Sequence, residues 1–173
     1  MEARIVPATY EDKLVVRNLM ELYCYDFSEF DGADVDSHGL YGYAHLDAYW
    51  TEEHRSPFLI RVADQWAGFA LVMDIEGAQR SWVHWMAEFF VMRKYRRQGV
   101  GRIAAWQLFD AFPGTWQVAQ LGQNGPARQF WRTVIGRYTD RAYREIEVEH
   151  WDGPVQEFQS PPECHRCAGG SSG

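Results

Sequence analysis

The sequence predicts a mixed α/β (α+β) domain, and three observations carry that expectation. Short apolar runs bounded by turn residues alternate with longer stretches of helical spacing, so strands and helices are interleaved along the chain. One strand-like run, Glu88-Phe89-Phe90-Val91-Met92, is followed at once by a basic glycine turn, Arg96 to Arg102, and an amphipathic stretch. Finally, 173 residues, 46% hydrophobic and 16% aromatic, suffice for one packed core and exclude a disordered chain.

Element by element, Arg4-Ile5-Val6 reads as a first strand closed by Pro7. Thr9 and Asp12 form a capping signal for a helix near residues 10–24, with Val15, Leu19, Leu22 and Tyr23 at helical spacing. Asp31-Gly32-Ala33-Asp34 and Ser37-His38-Gly39 mark a loop, and a second helix is expected from about Gly42 to Trp50. Residues 57–62 and 67–72 read as a hairpin around Asp64-Gln65, and a polar loop near Gly77-Ala78-Gln79-Arg80 leads into the strand ending at Met92. Ile103, Ala104, Leu108 and Phe109 give the next helix a sheet-facing side, ending near Pro113-Gly114. Residues 115–120 form a strand, and Gly125-Pro126 opens a short helix with proline at a tolerated early position. Residues 144–149 alternate cleanly and turn at Asp152-Gly153-Pro154 into a last strand, 155–158.

Charge and cysteine usage narrow the function. The formal net charge is −7, which repels nucleic-acid phosphates and attracts cations, so no nucleic-acid partner is expected. The one dense basic cluster, Arg93 to Arg102, coincides with the glycine turn, whereas acids gather at Asp26, Glu29, Asp31, Asp34, Asp36, Asp47, Glu52 and Glu53. No apolar run approaches a membrane span and Met1-Glu2-Ala3-Arg4 is no signal peptide, so no membrane partner and a cytoplasmic location are expected. Three cysteines make no disulfide framework, and Cys164-His165-Arg166-Cys167 lacks the second ligand pair that zinc wants. That segment belongs to an expected flexible tail, 159–173, and no metal site is expected.

The turn itself points to a diphosphate. Glycines let the backbone fold tightly and bring several N–H groups near an anion. The helix N-terminus adds its positive dipole end and the arginines add full charges. No Gly-Lys-Ser/Thr follows, and the spacing is not the three-glycine dinucleotide one. Arg96-Arg97-Gln98-Gly99-Val100-Gly101 after the apolar strand instead resembles motif A of the GNAT superfamily of acyl-CoA-dependent N-acyltransferases. Asn124-Gly125-Pro126-Ala127-Arg128-Gln129-Phe130-Trp131 resembles that family's second cofactor segment, Asn-x-x-Ala followed by Phe-Tyr. The succession of elements matches the family's order over residues 3–158, a single domain taken as 1–158.

The resemblance implies a GNAT fold: a twisted mixed, mostly antiparallel sheet of six to seven strands flanked by about four helices, with a splayed pair at the motif strand. It implies acetyl-CoA as cofactor, gripped at Phe90, Val91, Met92, Arg96, Arg97, Gln98, Gly99, Val100, Gly101, Arg102, Asn124, Ala127, Phe130 and Trp131. Backbone groups of strand 83–92 would pair with the pantetheine arm, and an N–H of Val91 or a neighbour would polarise the thioester carbonyl. Trp131 departs from the pattern: where many members carry a tyrosine that protonates the leaving thiolate, indole N–H is no useful acid. Tyr138 or water then serves, or the thiolate leaves unaided.

Two residues are candidate bases for the amine proton. His84 and Glu88 share one face of the motif strand by its two-residue period. Glu88 is preferred, because burial costs a carboxylate dearly unless it is paired or useful. His84 has the better intrinsic pKa but also reads as a satisfied buried histidine. Around Tyr23 to Asp31, read as following the first helix, aromatics interleave with carboxylates. Tyr25, Asp26 and Glu29, with Asp152 opposite, suit a small cationic, polyhydroxylated amine. The chain also resembles, less specifically, small bacterial aminoglycoside-type acetyltransferases, with kasugamycin-like substrates and a role in antibiotic resistance. Direct transfer is expected, since no cysteine lies in the motif segments. A protein or peptide N-acetyltransferase and a non-catalytic acyl-CoA sensor remain the alternatives. A homodimer is compatible with the family, whose members often pair through sheet or helix edges.

Overall fold

The computed structural model describes residues 2–77, 81–149 and 151–160. Among them the elements run β1 (Ala3–Pro7), α1 (Lys13–Asp31), α2 (Ala48–Thr51), β2 (Arg55–Val62), β3 (Gln65–Glu76) and β4 (Trp82–Val91). A 3-10 turn (Arg93–Tyr95) leads to α3 (Val100–Ala111), β5 (Gly114–Ala119), α4 (Gly125–Tyr138), β6 (Tyr143–Ile146) and β7 (Val155–Ser160). This is the expected succession, a mixed α/β fold with a mostly antiparallel sheet. Residues 78–80 of the expected polar loop and the Cys164–Cys167 segment lie outside the described residues. Among the described residues no helix is long and apolar enough to cross a membrane.

The described residues fall into two compact units, one comprising residues up to Met73 with Ala87–Gly101, the other Asp74–Met86 with residues from Arg102 onward. In the first unit β1 pairs antiparallel with β2, and β2 antiparallel with β3 across a bulge between Ile60 and Arg61. The strand order there is β1-β2-β3-β4. Helix α1 sets Val16, Leu19 and Met20, spaced i, i+3, i+4, into a core with Leu59, Phe69, Leu71 and Phe90. Val16, Leu59, Phe69 and Leu71 are fully enclosed. Each such side chain contributes about 1.5–3 kcal/mol, so this helix–sheet seam is what anchors β4 from one side.

Two helices differ from expectation. Helix α1 does not stop near residue 24 but continues to Asp31, so the Tyr23–Asp31 stretch is helical and does not follow the helix. Tyr23, Phe27 and Phe30 carry the inward stripe on, with successive ring centroids 5.3 and 6.3 Å apart. Gly32, at φ +72°, ends the helix by donating its N–H to the Ser28 carbonyl. At the other end Thr9 donates from its N–H and hydroxyl to the Asp12 carboxylate at 2.9 and 3.0 Å. The second helix is shorter than expected, Ala48–Thr51 rather than 42–50. The N–H groups of Tyr41 and Gly42 are taken by the Glu21 carboxylate at 2.8 and 3.0 Å, and Gly42 sits at φ +67°, which holds that segment out of a helix.

In the second unit β4 pairs in parallel with β5 through Val83–Thr115, His84–Trp116 and Trp85–Gln117, and β4 itself runs on to Val91. β5 is antiparallel to β7, and β7 to β6. Phe109 of α3 is the hub of this core, with ring centroids of Trp116, Tyr138 and Phe158 at 5.0, 5.1 and 4.9 Å. β6 covers only Tyr143–Ile146 of the expected 144–149, and β7 reaches Ser160, past the expected end at 158.

Candidate active site

The first unit holds the basic glycine turn and, on the strand that leads into it, the half-buried carboxylate of Glu88. Past Val91 the chain makes its 3-10 turn, with Tyr95 buried, and then reverses into α3. Arg97 lies at φ +60° and Gly99 at φ +81°. A left-handed conformation is strained for arginine and free for glycine. Successive residues that alternate in this way turn their N–H groups toward one concave side, which is an anion-binding geometry. The opening amides of α3 have no intrahelical acceptor and add to it. The backbone of residues 97–101 therefore has a conformation that a diphosphate site built from amides would require.

The arginines around the turn are arranged otherwise than expected. Arg96 donates its Nε–H to the Val91 carbonyl at 2.6 Å and an Nη2–H to Asp26 Oδ2. Arg93 donates from Nε and Nη2 to Asp26 Oδ1 at 3.1 and 2.7 Å. Asp26, expected to hold a cationic acceptor, is thus engaged by two arginines. Arg102, on α3, stacks over the Trp106 ring at 4.8 Å.

Glu88 sits four residues before Met92, about 13 Å along the strand by ordinary rise. Its Oε1 accepts a hydrogen bond from the Tyr43 hydroxyl at 3.0 Å, and the Tyr23 hydroxyl is a second donor. Burial pushes its pKa up from the ordinary carboxylate value, and the two phenols only partly offset this. Burial and the Glu88 charge push both tyrosines up in turn, so they stay protonated donors. A carboxylate with a raised pKa, still partly open to solvent, is a poised proton acceptor. Tyr43 is the Glu88 partner that the sequence does not single out; the only signal for it is the general need of an enclosed carboxylate for donors, which names no partner 45 residues away. Cys24 lies nearby on α1, and burial lifts its thiol to about 11, so it stays a neutral thiol near pH 7.

Phe90 is buried in the first core, between Tyr23 and Phe69, while the Met92 N–H donates to the Ala67 carbonyl at 2.8 Å. Tyr25 and Glu29 are exposed one turn apart on α1.

The remaining candidates belong to the second unit. His84 Nδ1 lies 2.6 Å from Asp74 Oδ1 and Nε2 is 3.3 Å from the Pro113 carbonyl, with rings of Phe112 and Trp116 against it. That is the environment of a satisfied histidine, and the two base candidates fall in different units. The Tyr138 hydroxyl, the candidate acid, donates to Asp110 at 2.7 Å, and its ring packs on Phe109. Trp131 is buried, beside Phe130 at 4.9 Å between centroids. The Asp152 carbonyl accepts from the Gly122 N–H at 3.1 Å. Asn124 caps α4, its Oδ1 accepting from the Ala127 N–H at 3.0 Å. Asn124→Ala is therefore expected to cost about 1 kcal/mol of stability, read by urea denaturation. An unchanged midpoint would remove the cap as a stabilising contact.

Residues 17–136 match the model of the acetyltransferase (GNAT) family. A search of curated proteins finds no match. Among solved structures, an acetyltransferase from Thermus thermophilus superposes with a TM-score of 0.68 at 14% identity, covering 92% of this chain and 97% of that one. The spermidine N-acetyltransferase of Vibrio cholerae, in complex with CoA and spermine, gives 0.62 at 10% identity, covering 91% and 95%. An aminoglycoside acetyltransferase, meta-AAC0020, from an uncultured soil metagenomic sample in complex with trehalose gives 0.57 at 17% identity, covering 87% and 93%.

Proposed function

Since the chain belongs to the GNAT acetyltransferase family, acyltransferases that use acetyl-CoA, we propose that it acetylates a small cationic amine of the aminoglycoside type by direct attack of that amine on the thioester. Acetyl-CoA supplies the activated acyl group. The observation that carries the reading is Glu88: a tyrosine-bound, partly buried carboxylate on the strand that leads into the phosphate turn.

The chain's own residues then divide the work. The amides of residues 97–101 would hold the diphosphate, and an N–H of β4 near Val91 would polarise the thioester carbonyl. An incoming ammonium gives its proton to Glu88 Oε, directly or through one water. The neutral amine then attacks the thioester carbonyl, the C–S bond breaks, and CoA leaves as the thiolate, which is protonated through water by the proton released from the acylated nitrogen. Tyr43 and Tyr23 hold that carboxylate in place. Neutral Cys24 supports direct transfer, since a thiol at about 11 is a poor nucleophile near neutrality. With Asp26 engaged, Glu29, one turn from Tyr25, is the carboxylate of the expected Tyr25, Asp26 and Glu29 set that would attract a cation, and the net charge of −7 favours one. One fold neighbour is a spermidine N-acetyltransferase and another an aminoglycoside acetyltransferase, and both names support a small-amine acceptor here. In resistance terms, acetylation would remove one positive charge of such a drug at the modified amine.

The test is thiol release from acetyl-CoA with a panel of aminoglycosides, polyamines and peptides. Release with an aminoglycoside, and not with peptides, is expected. Release only with peptides would move the protein to the protein-modifying class, and CoA binding with no release on any acceptor would make it a sensor.

A further inference from the structure

We infer that Asp26 is a positioning residue for the diphosphate turn, and that Arg96 is the staple it works through rather than a ligand of the phosphates. This rests on the coenzyme reading above. Two of the five N–H groups of Arg96 point inward: Nε–H donates to the Val91 carbonyl at 2.6 Å and an Nη2–H donates to Asp26. Its guanidinium also lies 5.6 Å from the Phe90 ring centroid. Arg93, on the opposite side of the 3-10 turn, reaches the other oxygen of the same carboxylate at 2.7 Å. A single side chain of α1 therefore ties both ends of Arg93–Tyr95 and, through Arg96, the last residue of β4.

Burial fits that task. The Asp26 side chain is 17% exposed, against 72% for Arg93, so the carboxylate is the fixed partner and the arginines converge on it. Immediately after the staple comes Arg97 in its left-handed conformation. Such a residue persists only where its flanks are held. An anion site made of amides depends on their being pre-aimed, because any ordering left until binding is subtracted from affinity. Asp26 thus strengthens the binding of a dianion although it carries like charge itself. A carboxylate that merely masked two arginines would weaken it, and the two cases differ in sign.

The experiment is calorimetric titration of CoA into wild type, Asp26→Asn, Arg96→Gln and the double variant. Turnover is followed in parallel with acetyl-CoA and with S-acetyl-pantetheine, which lacks the diphosphate. Each single variant is expected to bind CoA about tenfold more weakly, and the double variant no more weakly than either, because the two residues act as one unit. kcat/KM with S-acetyl-pantetheine should fall much less than kcat/KM with acetyl-CoA in all of them, and Asp26→Glu should recover part of the loss. Unchanged or tighter binding in Asp26→Asn, or effects that add in the double variant, would overturn the assignment. A loss equal for both acyl donors would do the same. If wild type itself gives no heat with CoA, the coenzyme reading falls and the assignment with it; if wild type binds and Asp26→Asn binds equally, only the assignment falls.

Discussion

Glu88→Gln is expected to lower kcat by about 10²-fold or more while leaving CoA affinity unchanged and thermal stability near neutral pH equal or higher. The first half follows from removing the proton acceptor of the proposed reaction. The second follows from the direction of the pKa shift. Glu88 is raised above the ordinary carboxylate value of 4.5, so between that value and its folded pKa the native state binds more protons than the unfolded chain. Stability contributed by the protonated group is present below pH 4.5 and lost as pH rises through the folded pKa, after which burial of the charge is a standing cost. Glutamine removes that cost and still offers Tyr43 and Tyr23 an acceptor oxygen. A residue retained for packing would behave oppositely. Unchanged kcat would remove Glu88 as base, and a clearly lowered melting temperature at neutral pH would make it a structural group. In wild type, kcat/KM should rise with pH along an acid limb above the usual carboxylate range. Tyr43→Phe should move that limb further up, since one donor to the charged form is gone.

The second large effect is expected at Gly68. A Cβ built there would sit 1.9 Å from the Phe90 carbonyl oxygen, 2.9 Å from its carbon and 3.1 Å from Val91 Cα. All three are backbone atoms, so no side chain can swing away. Gly68→Ala must push β4 off β3 at the residues that separate Glu88 from the phosphate turn, and it breaks the seating of Phe90 in the core. The cost is about 2–4 kcal/mol, the range of severe overpacking, with CoA binding lost in the same variant. Chemical denaturation and calorimetry read the two together. A variant of wild-type stability and CoA affinity would show that β3 and β4 are not locked in this register.

The sequence made the strand, the glycine turn and the helix after it legible because each is a local signal. A short apolar run marks β4, glycines mark the reversal, and apolar spacing marks α3. Glu88 stood out for a local reason too, as a charge inside an apolar run. The length of α1 was less legible: Tyr23, Phe27 and Phe30 continue a helical stripe, but interleaved acids and aromatics disguise it until Gly32 ends it. The second helix failed for a non-local reason, a carboxylate at Glu21 that captures the N–H groups of Tyr41 and Gly42. Asp26 was the sharpest case. Its position among acids suggested cation capture, whereas its partners lie 67 and 70 residues away.

By itself, then, the chain determined its class, the order of its elements, the basic glycine turn and the acid most in need of a partner. Hydrophobic period, glycine freedom and the cost of a lone buried charge all act within a few residues, so they can be read in line. Which donors reach Glu88, which carboxylate binds the arginines, and which hydroxyl is spent on Asp110 were decided only in three dimensions. Those pairings are made by whichever groups the packed helices and strands bring within about 3 Å, and no spacing along the chain encodes that distance.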